Sequence, residues 1–187
     1  MHIKVINLKF YKTTSLSHQI CLDYITKDSI VIDATCGNGT DTLFLCQKSK
    51  YCFAFDIQDI AINNTEKLLK RNNINNYKLI KDSHENFINY CLKCDLVLFN
   101  LGFLPRGKQE ITTQAKTTLL TIQKMLEKLE FKLILLVLYP GHTEGQKESQ
   151  VLEEYLKTVC QKKYNIFKIQ NINQTETAPY IIGLEKK

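Results

Sequence analysis

The sequence predicts a three-layer α/β domain, with helices on both faces of a mostly parallel seven-stranded sheet whose last strand runs antiparallel. Three observations carry this expectation. Seven short, β-rich apolar runs recur along the chain and are separated by segments of helical periodicity, and strand-helix alternation builds parallel sheets with right-handed crossovers. The segment between the last two runs, Asn171 to Pro179, is polar and too short for a crossover helix, so the final strand turns back on its predecessor. Six of the 7 glycines, at positions 37, 39, 102, 107, 141 and 145, follow the first, fourth and fifth runs, which gathers them at the carboxyl edge of the sheet. That is where open α/β sheets bind ligands.

In order, the runs are Ser29 to Asp33, Tyr51 to Asp56, Tyr77 to Lys81, Asp95 to Asn100, Lys132 to Tyr139, Tyr164 to Asn171 and Tyr180 to Glu185. An amphipathic segment, Ser15 to Ile25, precedes them. After the first run, a helix carries Leu43, Phe44 and Cys46. Ala61, Thr65, Leu68 and Leu69 share one helix face between runs two and three. Ala115, Leu119, Ile122, Leu126 and Leu129 do so before run five, and Val151, Leu152, Tyr155, Leu156 and Val159 after it. One domain over residues 1–187 is expected, since a chain of this length buries roughly 70% of its unfolded surface.

Composition narrows the function classes. With 44% hydrophobic and 24% charged residues, collagen-like, low-complexity and disordered chains are excluded. The densest apolar run, Leu133 to Tyr139, has the length of a buried strand and falls far short of the roughly 20 residues that span a bilayer, so no membrane partner is expected. Met1 to Tyr11 lacks a continuous apolar stretch with a cleavage site, and the 7 cysteines are odd in number and irregularly spaced. A reduced, cytoplasmic setting follows. Cys91 and Cys94 form one C-x-x-C without a second ligand pair, so no metal is expected. A net charge of +6 suits a polyanionic partner, although dedicated nucleic-acid binders are more basic.

The strongest local signal is the stretch from Ile30 to Asp41, an apolar strand ending in Asp33, then a loop with Gly37, Asn38 and Gly39, then a helix. A dinucleotide fingerprint needs a third glycine where Thr42 stands, and no Gly-Lys-Ser/Thr follows for a P-loop. Asp33 would repel a pyrophosphate and attract an ammonium. The second strand ends in Asp56, about 20 residues on, where a carboxylate accepts ribose hydroxyls; Ile57 offers an apolar face to a purine. Asp82, after the third strand, suits an exocyclic amine. Amino acid, ribose and adenine together describe S-adenosylmethionine. Asp56 and Asp82 also read as plain helix N-caps.

The stretch from Val31 to Asp41 with Asp56-Ile57-Gln58 resembles the first two motifs of class I methyltransferases, which have Rossmann-like folds. Asp33 to Asp41, Phe55 to Gln58, Asp82 to Glu85, Asn100 to Pro105 and Tyr139 to His142 together resemble a bacterial family long labelled "putative rRNA methylase". Members of that family are similar to the enzyme that methylates 5-aminomethyl-2-thiouridine at the tRNA wobble position. The resemblance spans essentially the whole chain. It implies S-adenosylmethionine held by Asp33, Cys36, Gly37, Asn38, Gly39 and Asp41 of the first motif, by Asp56, Ile57 and Gln58 of the second, and by Asp82, Ser83, His84 and Asn100. Arg106-Gly107-Lys108 stands where the family pattern is glycine-rich.

Asn100-Leu101-Gly102-Phe103 is loosely similar to the acceptor segment of methyltransferases acting on planar amino nitrogens. An amide oxygen there accepts N–H bonds and aims an amine at a methyl donor, and the alternative is an Asn bonding its own backbone. His142, in Tyr139-Pro140-Gly141-His142, is expected to take a proton or orient substrate, and His18 to cover the site. Asn100, His142, Tyr139 and His18 are thus the catalytic candidates; Leu101, Gly102, Phe103, Arg106 and Lys108 are the substrate-binding candidates. The expected partner is the anticodon region of tRNA, with a homodimer left open. Methylation of an rRNA base or small amine, and a non-catalytic RNA-binding module, are the alternatives.

Overall fold

The computed structural model describes residues 12–102 and 114–187. Helix α1 (Thr13–Tyr24) leads into β1 (Ile30–Asp33), α2 (Thr40–Lys48), β2 (Tyr51–Asp56), α3 (Asp59–Arg71) and β3 (Tyr77–Lys81). A 3-10 turn (His84–Asn89) precedes β4 (Leu96–Asn100), and α4 (Ala115–Lys128), β5 (Leu133–Leu138), α5 (Thr143–Leu156), β6 (Tyr164–Ile169) and β7 (Tyr180–Lys186) complete the order. The sheet runs β3-β2-β1-β4-β5-β7-β6. Every pairing among the first five strands is parallel, and β7 is antiparallel to both β5 and β6. This is the mixed, mostly parallel class I methyltransferase sheet that the sequence implied.

The last strand does more than fold back on its predecessor. It inserts between β5 and β6, with Val137 opposite Ile181 on one side and Ile169 opposite Ile181 on the other. The reason is hydrophobic. Tyr180 to Leu184 is buried throughout, whereas β6 exposes Asn165 and Lys168 and therefore takes the edge.

Alternate residues of each strand feed two apolar layers. Ile32, Phe55, Phe99 and Leu136 pack with Phe87, Ile122, Met125 and Leu152 on one face. On the other, Val31, Ala54, Leu98 and Leu135 pack with Leu16, Cys21, Leu45 and Leu69. Six of the seven cysteines are buried free thiols that pack as small hydrophobes, and no metal-ligating group of three occurs among the described residues. No described helix is long and apolar enough to cross a membrane.

Two elements differ from the sequence reading. Between β3 and β4 there is a 3-10 turn in place of a crossover helix, because Asp82 collects the Ser83 N–H, the Asn86 amide and the Tyr90 hydroxyl and closes the chain tightly. In α4 the buried face centres on Thr118, Thr121, Ile122 and Met125, which leaves Leu119 and Leu126 on its partly buried flank. A polar contact turns the helix this way: the Thr118 hydroxyl donates to the buried Glu148 carboxylate of α5 at 2.6 Å.

Gly39 fixes the first crossover. Its φ is +85°, and a Cβ there would lie 2.9 Å from the Cα of Thr65 in α3. Gly39→Ala is expected to cost roughly 2–4 kcal/mol, about 1–2 from the left-handed backbone and the rest from the contact. Urea denaturation measures it, and a loss under about 0.5 kcal/mol would mean that the loop and α3 move apart freely.

Candidate active site

Strand order reverses direction at β1 and β4, so the connections after these strands leave toward opposite faces and open a crevice at their carboxyl ends. A cavity of about 620 Å³ lies there, well inside the ~300–1,000 Å³ range of small-molecule sites. Its wall comes from the loop after β1, the ends of β2 and β4, the turn after β3, the start of α4, and Tyr139 and His142 after β5.

The first loop is built around a buried acid. Asp33, which the sequence offered as an ammonium ligand, is 1% exposed and lies beneath the residues that line the cavity, where it supports the loop. Its Oδ2 accepts the Thr42 hydroxyl at 2.6 Å and its Oδ1 accepts the Thr35 N–H at 3.2 Å. Burial, reinforced by the nearby Asp41 charge, pushes its pKa up to about 7. Gly39 is likewise structural, facing Thr65 and not the cavity. Cys36, Gly37, Asn38 and Asp41 do reach the wall. The Cys36 thiol is buried, which raises its pKa and keeps it protonated.

Asp56 stands as expected. Its Oδ2 accepts the Gly37 N–H at 3.0 Å and its Oδ1 the Gln58 N–H at 2.9 Å, with the Ile57 N–H as a further donor, so the backbone holds the carboxylate at the cavity wall. Burial raises its pKa and these backbone donors oppose the rise. Ile57 is 57% exposed beside it, a free apolar face at the rim. Asp82 reaches the wall too. Its donors, led by Asn86, hold its carboxyl below the ordinary range, and Ser83 caps the following turn by accepting the Glu85 N–H.

His84 supplies an independent fit test for a ligand. Its ring bonds the Ala34 backbone carbonyl through one nitrogen, while Nε2 is buried on the cavity wall without a hydrogen-bond partner. Burial lowers its pKa to about 4, so the ring is neutral and Nε2 is a bare acceptor that a ligand donor would satisfy. A carboxylate on the wall, an apolar rim and an orphan acceptor together fit the adenosyl part of S-adenosylmethionine.

On the acceptor side, Asn100 is held at both ends. Its backbone N–H donates to Thr35 Oγ1 at 2.7 Å, and its side-chain Nδ2 donates to Asp41 Oδ2 at 2.9 Å. His18 Nε2 lies 2.7 Å from the other Asp41 oxygen, and its ring stacks on Phe44 with centroids 3.9 Å apart. Tyr139 also hydrogen-bonds Asn100, and its pKa is raised to about 12, by burial first and the Asp41 charge second. It is a neutral phenol at physiological pH. His142 N-caps α5, where Nδ1 accepts the Gly145 N–H at 3.1 Å. That lone pair is therefore engaged by the helix in this geometry and is not open to a substrate proton.

Residues 52–185 match the family described as "Putative rRNA methylase". The chain belongs to this family. A curated relative, the chloroplastic tRNA (mnm(5)s(2)U34)-methyltransferase of Arabidopsis thaliana, is 31% identical over 94% of this chain and 70% of its own. A solved Clostridium thermocellum structure of the same description is 37% identical with a TM-score of 0.90, covering 97% of this chain and 100% of that one. A Streptococcus mutans "putative methyltransferase", solved with SAH bound, is 35% identical with a TM-score of 0.87, covering 96% and 99%. The family and its relatives make the chain a methyltransferase of the rRNA/tRNA methylase type that uses S-adenosylmethionine as methyl donor.

Within this methylase frame, Leu101 and Gly102 line the cavity as expected, while Phe103, Arg106 and Lys108 lie outside the described residues. Lys147 is 62% exposed and paired with Glu144, on the surface of α5. Sequence reasoning missed Thr35, Thr42 and Thr65, the hydroxyls that hold the loop, and Gln114 and Thr117 on the wall. Hydroxyls flanking an acid and two glycines were the available signal for the first two.

Asp33 makes stability pH-dependent. Its folded pKa lies above the unfolded value of 3.8, so the folded state holds the extra proton and loses this contribution as pH rises from about 4 through 7. Asp33→Asn removes the titration. The melting temperature of the variant relative to wild type is expected to climb between pH 5 and pH 8, as followed by calorimetry; a flat or falling difference would mean that Asp33 is ionised throughout.

Proposed function

We propose that the chain transfers one methyl group from S-adenosylmethionine to the amine of 5-aminomethyl-(2-thio)uridine at the tRNA wobble position. The observation that carries this reading is the charge of the wall. Asp41, Asp56, Asp82 and Glu85 line the cavity, and no lysine or arginine does among the described residues. Such a wall suits a cationic donor and an acceptor that arrives as an ammonium, better than it suits a neutral ring atom of a base. The similarity to a plant protein named for methylation at this uridine supports the same choice.

Asp56 would hold the ribose diol, His84 Nε2 a donor of the ligand, and Ile57 the purine face. Bound there, the cofactor supplies a methyl carbon made electrophilic by its sulfonium, and the sulfide that leaves keeps the bonding pair. Asn100 orients the amine by accepting its N–H, so that the nitrogen lone pair faces the methyl group. The ammonium must first release a proton to water or to a base. Tyr139 is too weak an acid to have its phenolate populated for that purpose, and His142 Nδ1 is occupied by the α5 cap. Orientation by Asn100 and Tyr139 is then the main contribution of this wall. An anticodon base is already extrahelical, so an enzyme of this size needs no duplex-melting domain.

Incubation with labelled S-adenosylmethionine and tRNA carrying the unmethylated aminomethyl group should label that nucleoside alone. Label in rRNA instead would move the acceptor while leaving the cofactor site unchanged. Asn100→Ala should lower turnover by roughly a hundredfold with cofactor affinity nearly intact. Calorimetry on Asp56→Ala should show the reverse pattern, with S-adenosylhomocysteine bound more weakly by about 1–3 kcal/mol for one lost charged acceptor; unchanged affinity would remove Asp56 from the site.

A further inference from the structure

We infer that Asp41, which bridges Asn100 Nδ2 and His18 Nε2 with its two carboxylate oxygens, is a positioning residue that sets the amide of Asn100 for methyl acceptance and clips α1 beside the site. The inference rests on the proposed amine acceptor. The motif resemblance made Asp41 a cofactor ligand; its contacts point elsewhere.

A carboxylate has no hydrogen to give, so both of its neighbours must donate. The Asn100 atom 2.9 Å from Oδ2 is therefore the amide nitrogen, and the carbonyl oxygen is turned to the other side of the planar amide. That oxygen accepts the N–H of an amine. With the amide reversed, the NH₂ group would confront the acceptor, donor against donor. The Asn100 backbone is already pinned by Thr35, so the side-chain amide is the remaining freedom and Asp41 removes it.

The second oxygen does a related job. His18 Nε2, 2.7 Å away, donates its hydrogen to the carboxylate. The His18 ring also lies flat on Phe44, with an interplanar angle of 2°, and Phe44 sits in α2 three residues beyond Asp41. One face of α2 thus holds α1 by a hydrogen bond and a stack together. Asp41 and His18 are 12% and 20% exposed, which keeps water from replacing either bond freely. An acid in a helix first turn also stabilises the helix dipole, but that role asks nothing of Asn100 or His18.

Asp41→Asn is the test, because it replaces one carboxylate oxygen by an NH₂ group, which sets donor against donor at one of the two contacts. Expected is a kcat on aminomethyl-tRNA lowered roughly tenfold to a hundredfold, with the Kd for S-adenosylhomocysteine changed less than about threefold. Added to Asn100→Ala, the substitution should cost no further turnover, since it acts through that residue. Equal losses in kcat and cofactor affinity would make Asp41 a cofactor ligand and overturn the inference, as would additive losses in the double variant or an unchanged kcat. If the wild-type protein does not methylate this tRNA, the functional reading fails separately. The contact network is then judged on the protein alone, by the coupling of Asp41→Asn with Asn100→Ala in thermal stability; additive effects refute it and clear non-additivity supports it.

Discussion

The burial of one carboxylate organises the site. Asp33 ends β1 facing inward, where an unpaired charge would cost several kcal/mol, so every nearby donor is recruited to it. Thr42 brings the first turn of α2 down onto the strand, and the Thr35 N–H folds the loop back. The same Thr35 then accepts the backbone N–H of Asn100 from β4, and Asn100 reaches Asp41, which reaches His18. One run of hydrogen bonds thereby links β1, β4 and α2, whose ends border the crevice, with α1 beside them. Apolar packing fixes the sheet to within its twist; this polar sequence fixes where the reactive side chains point.

Two acids share that network, and they oppose each other. Burial pushes the Asp33 pKa up to about 7, and the nearby Asp41 charge adds to the rise. Donors around each group offset part of the repulsion. What remains is a negative potential inside a low-dielectric crevice, available to whatever cation enters.

The strands were legible because their apolar runs are short, bounded by glycine or acid, and too rich in β-branched and aromatic residues for helices. Their carboxyl ends named Asp56, Asp82 and Asn100 correctly as wall residues, since a residue at the end of a buried strand has nowhere else to face. Asp33 fails that rule by one rotation: it points into the layer under the loop, and only the position of Thr42 in three dimensions shows it. The α4 face was misjudged for a similar reason. A leucine stripe outweighs threonines on any hydropathy scale, yet the Thr118 bond to Glu148 sets the helix rotation. His142 reads in sequence as a base or an orienting residue; in space its Nδ1 caps α5 while the residue lines the cavity.

The distribution of charge constrains how a polyanion can use such a site. The chain is basic overall, with 25 lysines and arginines against 19 acids, yet the described cavity wall is acidic. A phosphate brought 4 Å from one of these carboxylates would meet roughly 4 kcal/mol of repulsion at an effective dielectric near 20, more than a good hydrogen bond returns. A phosphate group is thus disfavoured inside the cavity. A neutral base gains nothing from the acidic wall, whereas an aminomethyl group brings a positive charge to meet it. The field that disfavours phosphate in the cavity favours a cationic group there, and both effects come from one set of carboxylates.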